Sequence, residues 1–173
     1  MKENISVLIP EEEIDKRVRE LAAQITKDCA GKDLIIICIL KGASFFACDL
    51  AKRIELPTQL EFMRCASYGD SDTSSGNVKV IMDLDHDIAG RDVLVVEDIV
   101  DTGRTLKYLM ELLSDRKPSS IRLVSLLDKP ERRVVDIKAD YVGFTIPDEF
   151  VVGYGLDYAQ KHRGLPFIGV IKP

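Results

Sequence analysis

The chain has 173 residues, of which 46% are hydrophobic and 31% charged, and its formal net charge is −5. These values fit one domain of ordinary size with a core of its own, so we expect a single domain over residues 1–173. An acidic chain lacks the basic face that a general nucleic-acid binder needs. No apolar run approaches the roughly 20 residues of a membrane helix. The N-terminus is acidic where a secretory signal would be apolar, so we expect a cytoplasmic protein that binds neither nucleic acid nor membranes.

The sequence contains four cysteines, Cys29, Cys38, Cys48 and Cys65. No two of them are spaced as C-x-x-C, and neither histidine lies near a pair of cysteines, so we expect no structural zinc site. We predict reduced thiols, and the apolar surroundings of Cys38 and Cys48 predict that these two are buried.

Helical and strand patterns alternate along the chain. The predicted elements are a helix over 11–30, a buried strand over 34–40, a helix over 43–54, strands over 58–65 and 78–82, a buried strand over 92–97, a helix over 103–114, a buried strand over 121–127, and short strands with turns over 140–173. This alternation predicts an α/β fold with a twisted, mainly parallel sheet flanked by helices. Ligands bind such sheets beyond the carboxyl ends of the strands, so we look for chemistry where the apolar runs stop.

One motif combines a buried strand, acidic residues and a turn. The apolar run 93–96 ends at Glu97 and Asp98, and the turn 101–105 follows directly before a predicted helix. Carboxylates crowded at the end of a buried strand are costly unless something neutralises them. Mg²⁺ and the hydroxyls of a ribose are natural partners for the carboxylates of Glu97 and Asp98. The turn brings backbone N–H groups and two hydroxyls to a helix N-terminus, which suits a phosphate, although Asp101 could also be a plain helix cap.

The spacing of a Walker-type phosphate loop is absent from this motif. The stretch VLVVEDIVDTGRT instead closely resembles the phosphoribosyl-pyrophosphate signature of the type I phosphoribosyltransferases. The resemblance implies the fold of that family, in which a small base-binding hood accompanies the parallel sheet. It also implies that Glu97 and Asp98 bind the ribose and Mg²⁺. The residues that would hold the 5-phosphate are Asp101, Thr102, Gly103, Arg104 and Thr105.

Two loops resemble the hypoxanthine–guanine branch of that family. Lys41 and Gly42 follow the first buried strand, where the branch presents backbone N–H to pyrophosphate through an unusual non-prolyl cis peptide bond between these two positions. Ser67 and Tyr68 match the lid of the branch, which closes over the reacting centre and excludes water. On composition alone, Gly42 would simply permit a turn, and the segment 67–77 would be a solvated loop.

Further residues resemble the base-binding part of the same branch. Lys129, directly after the third buried strand, matches the lysine that bonds O6 of the purine, since an ammonium group can only donate. Phe150 would stack on the purine, and Val151 would offer backbone groups to its edge. Asp157 would reach a second Mg²⁺ through water or pyrophosphate, and Arg163 would contact pyrophosphate. Without the resemblance, Lys129 would be an ordinary surface lysine and Phe150 a core aromatic residue.

The resemblance therefore implies a purine salvage enzyme that transfers the phosphoribosyl group from 5-phosphoribosyl-1-pyrophosphate to N9 of hypoxanthine or guanine, giving IMP or GMP and pyrophosphate. Asp101 would handle the proton at N7, with Mg²⁺ as cofactor. The resemblance also implies that the protein is a homodimer or a homotetramer. Three alternatives stay open: an enzyme of the same fold for another base, a regulatory RNA-binding protein, and a nucleotide-binding module without turnover.

Overall fold

The computed structural model describes residues 4–67 and 78–172. Its helices are α1 (Glu11–Asp28), α2 (Ser44–Ala51) and α3 (Arg104–Ser114), with a 3-10 turn over Pro130–Arg132. Its strands are β1 (Asn4–Ile9), β2 (Leu34–Ile39), β3 (Thr58–Ser67), β4 (Val78–Met82), β5 (Asp92–Val100), β6 (Ser120–Asp128), β7 (Tyr141–Thr145), β8 (Val151–Val152) and β9 (Ile168–Lys172). No helix in the described part of the chain is both long enough and apolar enough to span a membrane.

Six strands form the central sheet, in the order β4-β3-β2-β5-β6-β7. The five strands from β3 to β7 in this order pair in parallel, and the edge strand β4 is antiparallel to β3. All six residues of β2 are apolar and buried, as expected of a strand that is covered on both faces. The predicted α/β fold with a mainly parallel sheet is confirmed.

Helices cover both faces of this sheet. On one face, α1 and α2 pack against a cluster that includes Ile36 and Leu94. On the other face, Leu109 of α3 packs in one cluster with Ile35 and Val95. Because alternate side chains of a strand point to opposite faces, one apolar run supplies both cores. The buried stripe of α1 contains Ile14, Val18, Leu21 and Ile25.

A second, three-stranded antiparallel sheet has the order β1-β9-β8. The family resemblance predicted a small hood beside the parallel sheet, and this separate sheet is a unit of that kind. β1 is missing from the predicted elements, because half of its residues are exposed and its pairing partner β9 lies at the other end of the chain. Such a strand is specified by a non-local contact rather than by its own pattern.

The strand that carries the acidic pair is longer than predicted. β5 runs to Val100 and not only to the predicted end at Glu97, so Asp98 also lies within the strand. The predicted strand end was wrong because the two apolar residues after the pair continue the ladder with β6. The backbone positions of both carboxylates are therefore fixed by the sheet.

All four cysteines are free, as predicted. Cys29 and Cys38 are buried, and burial raises the pKa of the Cys38 thiol to about 12. Cys48 is exposed, so its predicted burial was wrong. The reason is that α2 buries only one face, which carries Phe46, Ala47 and Leu50, and Cys48 does not belong to that face.

Candidate active site

Two adjacent carboxylates lie half-buried on β5. The Ile99 N–H donates to Asp98 Oδ1 at 2.6 Å, and the Asp98 N–H donates to Glu97 Oε1 at 3.2 Å. Burial, reinforced by the neighbouring charge of Asp98, raises the pKa of Glu97 well above its ordinary value. Burial also raises the pKa of Asp98, although the charge of Arg163 acts in the opposite direction. A cation at this point would offset the cost of two neighbouring buried carboxylates.

The loop after β2 approaches Asp98 closely. A side chain at Gly42 would overlap the Asp98 carboxylate, and a side chain at Gly155 would overlap the Gly42 carbonyl oxygen. The non-prolyl cis peptide bond joins Leu40 and Lys41. Its predicted position between Lys41 and Gly42 was wrong by one residue, and Gly42 is instead the residue that lies against the Asp98 carboxylate.

The turn 101–105 joins β5 to α3. Gly103 has a φ of +85°, a left-handed conformation that favours glycine, and the helix begins at the next residue. No side chain of the described residues caps this N-terminus, so its first N–H groups suit an anionic ligand. Asp101, Thr102 and Thr105 line a cavity of about 260 Å³ together with Glu97. Arg104 is exposed at the first position of the helix.

The segment after β6 holds this turn in place. Arg133 Nε donates to the Asp101 carbonyl oxygen at 3.1 Å, and the same guanidinium pairs with the Asp128 carboxylate. The Val134 N–H donates to the Thr102 carbonyl oxygen at 3.1 Å. These bonds satisfy carbonyl groups of the turn, so they fix its backbone without using its N–H groups.

A second cavity, of about 450 Å³, shares Asp101 with the first. Lys129 lines it and is only 7% exposed, so it is not an ordinary surface lysine. Phe150 is 53% exposed and meets the ring of Tyr158 edge-on at 5.6 Å, so it is not a core aromatic residue. An exposed aromatic side chain and a buried ammonium that line one cavity suit a flat polar ring. The predicted site residues that line this cavity are Asp98, Asp101, Lys129, Phe150, Val151 and Asp157.

The residues predicted to contact pyrophosphate meet at the loop 153–163. Arg163 belongs to this loop, and Lys41 and Gly42 lie against it. Arg163 Nη2 lies 2.8 Å from Asp157 Oδ1, and Arg163 Nη1 donates to the Gly155 carbonyl oxygen at 2.6 Å. Lys41 Nζ donates to Gln160 Oε1 at 3.2 Å. This loop therefore connects both predicted cations, and it reaches the acidic pair through Gly42.

The predicted metal ligands Glu97, Asp98 and Asp157 do not form a ready-made metal cluster. Within residues 4–67 and 78–172, no group of three or more His, Cys, Asp or Glu side chains could hold a metal ion by itself. Mg²⁺ usually binds through one or two carboxylates together with water and phosphate oxygens of the substrate. The hard oxygen donors of Glu97 and Asp98, with pKa values raised by burial, fit an ion of this kind that binds together with its substrate.

The predicted lid begins at the end of β3. Ser67 is exposed, is the last residue of that strand, and pairs with Val78 of β4. Tyr68 lies outside the described residues. Cys65, two residues before Ser67, lines the cavity at the turn 101–105, so β3 brings the start of the predicted lid close to that turn.

Three charged residues of the site were not predicted: Arg132, Arg133 and Asp148. Arg132 and Asp148 line the second cavity, and Arg133 holds the turn. A signal for the two arginines was present in the sequence. They belong to a charged run that directly follows a buried strand, where charges need partners.

The fold and the site together define an α/β protein that is suited to hold an anion and a flat ring at the carboxyl edge of a parallel sheet. The chain belongs to the phosphoribosyl transferase domain family, whose sequence model matches residues 10–159. The resemblance found in the stretch VLVVEDIVDTGRT is confirmed.

The chain is also similar to individual proteins of known sequence or structure. The chain is 55% identical over 174 residues to the hypoxanthine-guanine phosphoribosyltransferase of Bacillus subtilis, covering 100% of this chain and 97% of that protein. It is 52% identical over 167 residues to the bifunctional protein TilS/HprT of Listeria monocytogenes, and it spans 26% of the length of that protein. The crystal structure of a hypoxanthine phosphoribosyltransferase from Staphylococcus aureus is similar, with a TM-score of 0.94 at 52% identity, covering 97% of this chain and 91% of that one.

Proposed function

We propose that this chain transfers the 5-phosphoribosyl group from 5-phosphoribosyl-1-pyrophosphate to N9 of hypoxanthine or guanine. The products would be IMP or GMP and pyrophosphate, which makes the protein a purine salvage enzyme. The observation that carries the proposal is the cavity that brings the buried Lys129, the Asp101 carboxylate and the exposed Phe150 together. High identity to relatives that bear the name of this activity supports it.

The sugar phosphate would bind at the end of β5. Glu97 and Asp98 would hold the ribose hydroxyls, and the 5-phosphate would accept hydrogen bonds from the N–H groups of the turn 101–105. Thr102 and Thr105 line the same cavity, and their hydroxyls would add donors. Mg²⁺ bound at the acidic pair would supply positive charge that stabilises the departing pyrophosphate.

The reaction needs both substrates to be held close together. When pyrophosphate departs, positive charge develops at C1 of the ribose, and N9 of the purine attacks from the opposite face. Holding two reactants in one geometry removes a large entropic barrier. Lys41, the Gly42 backbone and Arg163 would hold the pyrophosphate, with Asp157 reaching it beside them. Ser67 and Tyr68 would exclude water from the developing cation.

The base would lie in the second cavity. The Lys129 ammonium would donate to O6, which disfavours adenine because its amino group is itself a donor. The Asp101 carboxylate would take the proton from N7 as the new bond forms. Phe150 would stack on the ring, and the backbone of Val151 would meet its remaining edge.

The variant Lys129→Gln tests the assignment of the base. Loss of a charged donor to O6 should lower kcat/KM for hypoxanthine by roughly 10- to 100-fold. The KM for 5-phosphoribosyl-1-pyrophosphate should stay unchanged, because Lys129 does not line the cavity that Thr102, Gly103 and Thr105 of the turn form. Lys138→Gln is the matched control, since Lys138 is an exposed lysine in the same segment. Equal kinetics for the two variants would rule out Lys129 as the O6 donor.

We also propose that the protein is a single-domain homodimer or homotetramer of the cytoplasm. Apolar side chains on the neighbouring strands β3 and β4 support an interface, because large exposed apolar patches commonly mark contacts between proteins. The exposed residues are Leu60, Phe62, Ile81 and Met82. Light scattering across a range of protein concentrations would measure the mass of the assembly.

A further inference from the structure

Four charged groups in the second cavity form a row of alternating sign. Arg132 Nε lies 2.7 Å from Asp101 Oδ1, and Arg132 Nη1 lies 3.7 Å from Asp148 Oδ2. Lys129 Nζ lies 3.9 Å from Asp148 Oδ1. The row therefore runs from Asp101 through Arg132 and Asp148 to Lys129, and all four residues line the same cavity.

The backbone brings the two ends of this row close together. The Lys129 N–H donates to the Val100 carbonyl oxygen at 2.9 Å, one residue before Asp101. The Arg132 N–H donates to the Lys129 carbonyl oxygen at 3.1 Å through the 3-10 turn. These bonds fix where the side chains start. The long side chains of Lys129 and Arg132 still have many rotamers, so their charged ends need partners to hold them.

We propose that Arg132 and Asp148 are positioning residues that set the separation of the Lys129 ammonium from the Asp101 carboxylate. The inference rests on the proposed function, in which these two groups meet O6 and N7 of the purine. O6 and N7 lie on the same edge of the ring, so the donor for one and the acceptor for the other must be set together. The Arg132–Asp148 pair is the bridge that does this.

The order of the charges suits a bridge. Arg132 lies between two carboxylates, and its planar guanidinium offers separate N–H groups to each. Asp148 lies between two cations and offers one oxygen to each. Each charge therefore has only opposite charges as its neighbours in the row, which avoids repulsion between Lys129 and Arg132.

The bridge contributes geometry rather than stability. The side chains of Arg132 and Asp148 are 46% and 49% exposed, and pairs this exposed add little to the free energy of folding. A displaced catalytic group, in contrast, strongly slows a reaction that depends on the position of both reactants. We therefore expect substitutions in the bridge to lower turnover while the fold stays intact.

The test compares Arg132→Gln, Asp148→Asn and the double variant by steady-state kinetics with hypoxanthine, 5-phosphoribosyl-1-pyrophosphate and Mg²⁺. Each single variant should lower kcat about 10-fold, with the KM for 5-phosphoribosyl-1-pyrophosphate unchanged. The double variant should be no slower than the slower single variant, because the first substitution already breaks the bridge. Arg132→Lys keeps the charge but loses the planar fork, so its kcat should fall between those of Arg132→Gln and the unsubstituted protein. Glu131→Gln is the control, since Glu131 is exposed in the same 3-10 turn.

Three results would overturn the bridge. The first is an unchanged kcat in both single variants at an unchanged melting temperature. The second is a double variant whose loss equals the product of the two single losses. The third is a large rise in the KM for 5-phosphoribosyl-1-pyrophosphate in Arg132→Gln, which would make Arg132 a phosphate ligand. If the unsubstituted protein forms no nucleotide, the proposed function fails first, so the two failures are distinguishable.

Discussion

At the scale of single residues, the site depends on how closely backbone segments approach the acidic pair. Gly42 leaves room for the Asp98 carboxylate, and Gly155 leaves room for the Gly42 carbonyl oxygen. Glycine is required at both positions because any side chain would occupy space that these groups already fill. Gly42 therefore contacts both neighbours of the predicted pyrophosphate loop, namely the acidic pair and the segment that carries Arg163.

Gly42→Ala should displace the Asp98 carboxylate and lower kcat/KM by about 100-fold, because a shift of about 1 Å in a binding group can cost that much. The cost in the free energy of unfolding should be only about 1–3 kcal/mol, as for other overpacked sites. Steady-state kinetics and a thermal melt measure the two effects.

Gly164→Ala is the matched control, because a side chain there would meet open space. It should leave both quantities unchanged. A Gly42→Ala protein with the kinetics of its parent would contradict the close approach to Asp98.

At the scale of elements, the turn 101–105 depends on the segment that follows β6. Arg133 binds the Asp101 carbonyl oxygen and the Asp128 carboxylate, and its side chain is only 18% exposed. The Thr102 carbonyl oxygen is bound by the Val134 N–H. The turn is thus held by a neighbouring element and not by its own sequence alone.

Arg133→Gln should loosen the turn and leave Asp128 without its cation. We expect a loss of about 2 kcal/mol in the free energy of unfolding, which corresponds to about 4–8 °C in melting temperature for a chain of this length. The KM for 5-phosphoribosyl-1-pyrophosphate should rise about 10-fold, because the N–H groups of the turn lose their fixed geometry.

Arg91→Gln is a suitable control for Arg133→Gln. In the unsubstituted protein, Arg91 forms an ion pair with Asp33 at 3.8 Å, away from the site. It should change neither melting temperature nor KM. If both variants behave alike, Arg133 does not support the turn.

The elements also show what the sequence could predict. The apolar runs of β2, β5 and β6 and the stripe of α1 are local patterns, and each predicted its element. β1 depends on pairing with β9 at the far end of the chain, so no local pattern revealed it. The contacts of Arg132 with Asp101 and Asp148 join separate loops, and spacing along the chain does not encode such contacts.

At the scale of the whole molecule, the strand order explains why distant residues form one site. β2, β5 and β6 are adjacent and parallel, so their carboxyl ends lie at the same edge of the sheet. Gly42 follows the first of these strands, Asp98 lies near the end of the second, and Lys129 follows the third. Phe150, directly before β8, lines the second cavity together with Asp98 and Lys129. Topology therefore brings together groups that the sequence separates by more than a hundred positions.

The most direct test of the central claim is nucleotide formation by the purified protein. The substrates are 5-phosphoribosyl-1-pyrophosphate and Mg²⁺ with hypoxanthine, guanine, xanthine, adenine or uracil in parallel reactions. We predict rapid formation of IMP or GMP, little product with adenine or uracil, and loss of activity when a chelator removes Mg²⁺. Absence of product with all five bases, or turnover that is faster with adenine than with hypoxanthine, would contradict the account.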